Sequence, residues 1–288
     1  MKETIRRTMK ILLVLLVLFV LSALISAVVC SRWLKHTDYT AELKNISAPF
    51  RAVLISDLHG REYGEDNAEL LSLIAQQEPD VIFADGDMIS RDADSEQVQS
   101  FLELLCELKK LAPVFYSTGN HEIDYMKQNG ETLLADIAAT GATVLYDSFV
   151  ETEIAGNTVR IGGTSGHYRE SNREEELDYA MQEAIGSTDI PAIVLMHMPE
   201  NLLLDSAREK WAADLYLSGH THGGVVRLPL IGGLVAPTQG LFPRYDAGEY
   251  LIDGRLRLII TSGLAGYEFI PRVFNRPEIC VIDFAPEG

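Results

Sequence analysis

The stretch RAVLISDLHG, residues 51–60, joins a short apolar run to a sharp polar turn. Such a run is typical of a buried β-strand that ends in a functional loop. The pattern recurs in DVIFADGD at residues 80–87 and in PVFYSTGN at residues 113–120. Segments with helical periodicity lie between these runs, at residues 66–77 and 95–111. This alternation predicts parallel βαβ units.

The second half of the chain contains more strands and fewer helices. The apolar runs of strand type are NTVRIGGT (157–164), AIVLMH (192–197), DLYLSG (214–219), GEYLI (248–252), LRLIITS (256–262) and EICVIDF (278–284). We therefore expect an α/β fold in which two mixed sheets pack face to face with helices outside. The first helix is expected to begin at Asp66, with Glu69 completing a capping box.

Polar side chains collect at the predicted carboxyl ends of these strands. Five of the seven histidines in the chain lie at such positions. The candidate residues are Asp57, His59, Asp87, Asn120, His121, His197, His220 and His222. Each one alone is as readily a turn or core residue, but their convergence on one edge of a sheet predicts a metal site. Imidazole and carboxylate ligands without thiolate suit Mn²⁺, Fe or Zn²⁺, and a set this large fits two ions.

Five short blocks carry a resemblance to a known family. In chain order SDLH (56–59), DGD (85–87), GNHE (119–122), MH (196–197) and GHTH (219–222) resemble the signature blocks of the calcineurin-like metallophosphoesterase superfamily. The segments PDVIFADGDMI, GHTHGGVVRLPLIGG and GLFPRYDAGEY resemble its bacterial membrane-anchored phosphodiesterase branch. The resemblance extends over residues 50–284. It implies a four-layer αββα sandwich of two mixed sheets flanked by helices, with the metal centre at the sheet edge.

The resemblance also implies a pair of divalent ions, each bound by three side chains and bridged by a seventh. The first group is Asp57, His59 and His222, the second is Asn120, His197 and His220, and the bridging residue is Asp87. The implied reaction is hydrolysis of a phosphodiester by attack of a metal-bound hydroxide.

Three residues beside these ligands have other expected roles. In the resemblance His121 faces the leaving group, as a general acid or as a stabiliser of transition-state charge. Glu122 is expected to orient a ligand imidazole, and a solvated glutamate is the alternative. Asp85 would add negative charge near the metals or cap a turn.

The N-terminal run ILLVLLVLFVLSALISAVV, residues 11–29, contains no charged residue. A helix of this length spans about 28 Å, close to the ~30 Å hydrocarbon core of a bilayer. The alternative is a cleaved signal peptide, which the length of the run and the lack of an A-x-A-like site disfavour. Four basic residues within positions 2–10 outnumber two within 32–35. This bias predicts a single-pass cell-membrane protein whose catalytic body lies outside the cytoplasm.

We therefore expect a basic stub and transmembrane anchor at residues 1–30, a polar linker at 31–50 and one metallophosphoesterase domain at 51–288. The net charge of −18 argues against general nucleic-acid binding, because an acidic surface repels phosphates. The three cysteines, Cys30, Cys106 and Cys280, are too few and too scattered for a disulfide framework. No oligomeric state follows from the sequence.

Three classes of function fit this pattern. The first is a membrane-tethered phosphodiesterase acting on a small or lipid-linked phosphoester, of which a pyrophosphatase of a nucleotide-linked lipid is a narrower form. The second is a phosphoprotein phosphatase, disfavoured because only Arg61 and Arg91 lie near the blocks. The third is a tethered binding protein with a vestigial site, which the intact ligand set argues against. His167, Tyr168 and Arg169 are either substrate contacts or part of a plain surface loop.

Overall fold

The computed structural model describes residues 1–30, 32–166, 179–203, 211–267 and 270–288. The α-helices within these ranges are α1 (Lys2–Cys30), α2 (Ala68–Ala75), α3 (Ser95–Leu111), α4 (Asn120–Asn129), α5 (Thr132–Ala139) and α6 (Tyr179–Gly186). Short 3₁₀ helices are found at Glu65–Asn67, Pro199–Leu203 and His222–Gly224.

The strands of the described residues fall into two large sheets and two small hairpins. In chain order they are β1 (Lys35–Leu43), β2 (Phe50–Ile55), β3 (Val81–Asp85), β4 (Val114–Ser117), β5 (Thr143–Leu145), β6 (Ser148–Ile154), β7 (Asn157–Gly163), β8 (Ala192–Leu195), β9 (Leu215–Ser218), β10 (Arg227–Leu228), β11 (Gly232–Gly233), β12 (Val235–Ala236), β13 (Gly240–Leu241), β14 (Gly248–Ile252), β15 (Leu256–Ile260) and β16 (Glu278–Pro286). β10 pairs with β11 and β12 with β13, both antiparallel.

Both large sheets are mixed. The first has the order β1-β16-β2-β3-β4-β5, in which β2 to β5 are parallel and β16 is antiparallel to β2. The second has the order β14-β15-β9-β8-β7-β6, with a parallel centre from β7 to β15 and antiparallel edge strands. Helices join β2 to β3, β3 to β4, β4 to β5 and β7 to β8, which gives these parallel neighbours the crossover connections that they require.

Three apolar clusters hold four layers together. The first lies between sheet one and its helices and includes Leu70 of α2 and Leu105 of α3. The second lies between the two sheets, where Phe83 and Leu217 are fully buried. The third joins the far face of sheet two to α6 and includes Ile185. The predicted αββα arrangement is therefore confirmed. Strands covered on both faces, such as β3, read as continuous apolar runs for this reason.

The segment between the N-terminal helix and the first predicted strand differs from expectation. Residues 31–50 were expected to be a polar linker, but Lys35–Leu43 form β1, which pairs in parallel with β16 along its whole length. As an edge strand it buries side chains on one face only, so its outward residues are polar and weaken the sequence signal. Glu278 of β16 fixes the pairing, since its carboxylate accepts a hydrogen bond from Thr37 Oγ1 at 2.6 Å and binds Lys35 Nζ.

One helix start differs from its prediction, and one helix was not predicted. α2 begins at Ala68 after a 3₁₀ turn, and its N-cap residue, Asn67, makes no side-chain capping hydrogen bond. The expected capping box of Asp66 and Glu69 is therefore wrong. α4 begins at Asn120, so that Asn120 and His121 occupy the first turn of a helix.

α1 has the length and composition of a membrane span. It contains 29 residues, and the most apolar stretch within it has a mean hydropathy of 3.2. None of that stretch is buried inside the protein. Length and composition therefore allow this helix to cross a membrane, and a signal sequence passes the same test.

Candidate active site

The structure brings the predicted residues from both sheets to one place. The residues from sheet one are Asp57 and His59 after β2, Asp87 after β3, and Asn120 and His121 after β4. The residues from sheet two are His197 after β8, and His220 and His222 after β9. All of these positions lie just beyond the carboxyl ends of parallel strands, where functional groups gather in such sheets. His167, Tyr168 and Arg169 lie outside the described residues.

Five of these residues have a left-handed backbone. Asp57, His59, Asp87, His220 and His222 all have φ between 48° and 65°. This region costs a non-glycine residue about 1–3 kcal/mol, and such residues concentrate at functional sites. The conformation turns each loop sharply, so that side chains from successive loops point at a common centre.

Glycines allow the loops to approach the buried carboxylates. A Cβ atom on Gly119 would lie 2.1 Å from Asp87 Oδ1, and one on Gly219 would lie 2.5 Å from Asp57 Oδ2. Neither distance is possible for a larger residue, so the GN and GH steps of the blocks follow from packing around the carboxylates. The backbone N–H groups that follow complete the contacts, since His121 N donates to Asp87 Oδ1 at 2.8 Å.

The side chains form overlapping groups whose ligand atoms lie within 4.8 Å of one another. The groups are Asp57 with His59 and His222, Asp87 with His197 and His220, and His59 with Asp87 and His121. Asp87 Oδ2 lies between the first two, at 3.8 Å from His59 Nε2 and 3.1 Å from His197 Nε2. This spacing places one carboxylate within reach of both groups.

Hydrogen bonds show which ring nitrogen of three of the histidines faces the centre. The contacts are His197 Nδ1 to Asp85 O at 2.7 Å, His222 Nδ1 to Ala265 O at 3.3 Å, and His220 Nε2 to Thr238 Oγ1 at 3.2 Å. A backbone carbonyl only accepts, so the nitrogens of His197 and His222 that contact carbonyls carry the proton. Their Nε2 lone pairs are then directed toward the carboxylates, as in metal-ligating histidines.

Unpaired acceptor atoms show that these residues fit a cation. His59 Nε2, His197 Nε2 and Asn120 Oδ1 are buried and have no hydrogen-bond partner among the described residues. The lone pair of His197 lies 3.1 Å from the Asp87 carboxylate, an arrangement that needs positive charge between or on the two groups. The donor set contains nitrogen and oxygen only, which suits Mn²⁺, Fe and Zn²⁺.

The pKa shifts of the residues in the centre agree with a site that fits a cation. Burial alone would lower the pKa of His197, but the carboxylates of Asp87 and Asp57 raise it well above the usual value. Burial would raise the pKa of Asp87, yet the surrounding imidazoles hold it well below its usual range. Burial lowers the pKa of His59 to about 4 and that of His222 to about 3. These two imidazoles are therefore neutral near pH 7, the form that binds metals.

Residues 50–224 match the family described as Calcineurin-like phosphoesterase. The chain belongs to the calcineurin-like phosphoesterase family. It is therefore a metal-dependent phosphoesterase, and its family depends on a dinuclear metal centre.

Curated proteins of bacteria and one solved structure resemble this phosphoesterase. It is 28% identical over 247 residues to the Phosphodiesterase YaeI of Escherichia coli, covering 84% of this chain and 85% of that protein. It is also 28% identical over 251 residues to a metallophosphoesterase of Helicobacter pylori, covering 85% of this chain but only 62% of that protein. The sulfate thiohydrolase SoxB in complex with glycerol superposes with a TM-score of 0.48 at 12% identity, covering 81% of this chain and 56% of that one.

His121 of the phosphoesterase is held by Arg91. The backbone N–H of Arg91 donates to His121 Nδ1 at 3.1 Å. Arg91 Nη2 lies 3.1 Å from His121 Nε2, and a guanidinium only donates, so Arg91 offers a donor to each ring nitrogen, of which a neutral ring can accept one. Burial lowers the pKa of His121, and the Arg91 charge adds to this effect.

Glu122 is buried and supports the loops of the phosphoesterase rather than an imidazole. Its Oε2 accepts from the N–H groups of Asp87 at 2.8 Å and Gly119 at 2.7 Å. Its Oε1 accepts from Met88 at 2.8 Å and Ile89 at 3.1 Å. The expectation that Glu122 orients a ligand imidazole is therefore wrong, because its partners are backbone amides that the sequence does not display. Burial and the Asp87 charge raise the pKa of Glu122 to about 7 against these donors.

Arg272 and Asp85 are two further buried charged residues near the site. Arg272, from the loop before β16, is buried and lines the same cavity as His59, His121 and His222. Its guanidinium donates to the carbonyls of Ser262 and Ala265, and the Ala265 carbonyl in turn contacts His222. Arg272 was not among the candidate residues, because nothing in its neighbourhood resembles a site motif. The Asp85 carboxyl is buried without a hydrogen-bond partner in the described part of the chain, so it caps no turn.

Proposed function

We propose that the protein is a membrane-tethered phosphodiesterase that holds two divalent cations. Asp57, His59 and His222 would bind the first cation, and Asn120, His197 and His220 the second, with Asp87 bridging them. The position of the Asp87 carboxylate between the two histidine groups, 3.8 Å from His59 and 3.1 Å from His197, is the observation that carries this proposal. When bound, such a pair of cations polarises the phosphoryl group and makes water nucleophilic near neutral pH.

The chain's own residues position the substrate and the leaving group. His121 lines the cavity, and with a proton on Nε2 it can donate to a departing ester oxygen. Arg91, beside it, can bind a phosphoryl oxygen. Glu122 keeps both loops in place through its four backbone contacts.

A diester is the favoured substrate, and a phosphomonoester is the second candidate. The relative YaeI is named as a phosphodiesterase, which supports the first. The phosphomonoester candidate is supported by the arginine residues in the cavity. A phosphoprotein phosphatase is disfavoured by the sequence because only Arg61 and Arg91 lie near the blocks, yet the structure adds Arg272 to the cavity lining.

Residues 1–30 would form the anchor and residues 35–288, which include the edge strand β1, the catalytic domain, on the outer side of the membrane. The apolar helix and the excess of basic residues before it support this orientation. A charged chromogenic diester supplied to intact cells tests the side: hydrolysis without lysis supports the outer position. Hydrolysis that requires lysis contradicts it.

We expect the purified full chain to hydrolyse bis-p-nitrophenyl phosphate faster than p-nitrophenyl phosphate when Mn²⁺ is present. Chelation should abolish turnover and added Mn²⁺ should restore it, because the buried acceptor atoms of the site need a cation. The measurement is turnover of both esters on one preparation, with metal analysis of the same sample. Faster turnover of the monoester would instead favour the second candidate. Turnover of neither ester, with two metal ions bound per chain, would refute the phosphodiesterase proposal.

His121→Ala should lower kcat by about a hundredfold on a diester with an alkyl leaving group. The loss should be much smaller on a p-nitrophenyl ester, because nitrophenolate departs without needing a proton. The measurement is kcat for the two diesters in the parent and the variant.

His36→Ala is the matched control, since His36 is exposed on β1 and should leave both rates unchanged. Equal losses on both esters in His121→Ala would contradict the general-acid role and leave charge stabilisation as the function of this ring.

A further inference from the structure

The catalytic body contacts α1 inside its apolar segment. The backbone N–H of Phe274 donates to Ser26 Oγ at 2.6 Å, and the rings of Phe274 and Phe19 lie 6.2 Å apart. Phe19 precedes the end of the apolar run at Val29 by about 15 Å along the helix axis. If α1 spans a bilayer, Phe274 lies at hydrocarbon depth.

The same loop forms one wall of the catalytic cavity. Ile270, Pro271 and Arg272 line a cavity of about 780 Å³ together with Cys30, the last residue of α1. Ile270 and Pro271 are exposed. Residues 270–274, which we term the lip, therefore contact the membrane helix through Phe274 and border the metal site through Arg272.

An exposed apolar hairpin continues this surface. The N–H of Arg227, in β10, donates to the carbonyl of Val273 in the lip at 2.9 Å. The turn after β10 presents Leu230, which is fully exposed, and Ile231, which is 64% exposed. Large exposed apolar groups of this kind mark an interaction surface. Because the hairpin is joined to the segment that contacts α1, the partner with matching chemistry is the bilayer itself.

The cavity contains basic side chains, in contrast to the apolar hairpin. Arg61, Arg91 and Arg272 line it, although the chain as a whole carries a net charge of −18. Arg272 is buried, and its Nη1 has no hydrogen-bond partner among the described residues. A guanidinium held in this way is suited to bind anionic phosphate oxygens.

From this juxtaposition we infer that the cavity opens onto the membrane and takes a phosphodiester lipid, whose headgroup enters among the arginines while its chains stay in the bilayer. The inference deepens the proposed function and rests on it. The lip and the hairpin would sit in the interface, so the substrate is hydrolysed without leaving the membrane.

A dye at position 231 tests the surface without relying on catalysis. Ile231→Cys in a Cys106→Ser background is labelled with an environment-sensitive dye, since Cys106 is exposed while Cys30 and Cys280 are buried. In phosphatidylcholine vesicles holding the full chain, we expect blue-shifted emission and slow bleaching by dithionite. Leu111→Cys, at the far end of α3 from the site, is the control and should bleach fast. Bleaching at 231 as fast as at 111 would overturn the inference.

Matched substrates test the lipid class. p-Nitrophenyl hexadecyl phosphate in vesicles is compared with soluble p-nitrophenyl methyl phosphate, in the parent and in the Leu230→Ser/Ile231→Ser variant. We expect the variant to lose about tenfold in rate on the hexadecyl ester and nothing on the methyl ester. Equal rates of parent and variant on the hexadecyl ester would overturn the inference and leave the proposed function intact. Hydrolysis of neither ester by the parent would instead refute the proposed function.

Discussion

Asp87→Asn should lower phosphodiester turnover at least about a thousandfold, since one carboxylate is proposed to serve both cations. The change keeps the size of the side chain but removes the charge that lies between His59 and His197. It also removes the acceptor that holds the N–H of His121 if the amide nitrogen occupies the Oδ1 position. The measurement is turnover of bis-p-nitrophenyl phosphate at saturating Mn²⁺.

Metal binding gives a second measurement that does not depend on turnover. The parent should melt at a higher temperature as Mn²⁺ is added, because a ligand that binds only the folded state stabilises it. Asp87→Asn should lose most of this shift. Asp92→Asn is the matched control, because Asp92 is an exposed carboxylate that lines the same cavity outside the metal groups. Near-parental turnover in Asp87→Asn would rule out the bridging role.

Glu122→Gln should lower the free energy of unfolding of the metal-free chain by about 3–5 kcal/mol. Each Glu122 oxygen accepts two backbone N–H groups, so an amide nitrogen in place of either oxygen leaves two buried donors unpaired. Turnover should fall by about ten- to a hundredfold as well, because the loops that carry Asp87 and Asn120 lose their common support. Denaturant unfolding and turnover are measured on the same preparation.

Glu103→Gln on α3 is the control, since Glu103 is exposed and its replacement should leave both quantities unchanged. An unchanged free energy of unfolding in Glu122→Gln would mean that the carboxyl is already protonated, with its O–H in the place that the amide would take. Its pKa of about 7, raised by burial and by Asp87, makes this outcome informative.

The convergence of the candidate residues on one edge could be predicted because the information is local. Each candidate ligand directly follows a buried strand, and parallel strands end at a shared edge, so separate blocks such as SDLH and GHTH could be placed together without a structure. The apolar runs of β3 and β8 are buried on both faces, which makes them easy to recognise.

Features that depend on tertiary contacts could not be read in the same way. β1 alternates polar and apolar residues at an edge and resembles a linker until its pairing with β16 is known. Glu122 binds backbone amides, which look alike in every sequence. Arg272 reaches the site from a loop some fifty residues after GHTH, with no neighbouring motif to indicate its position. Such residues are located by the fold alone.

The pairing of β1 with β16 has a mechanical consequence. Only residues 31–34 separate α1 from β1, which corresponds to about 14 Å of extended chain. β1 pairs along its whole length with β16, the last strand of the domain. In a membrane-tethered enzyme, this pairing would restrict the motion of the catalytic domain relative to its anchor. Such an enzyme samples few orientations, keeps a fixed height above the bilayer, and meets its substrates by diffusion in two dimensions.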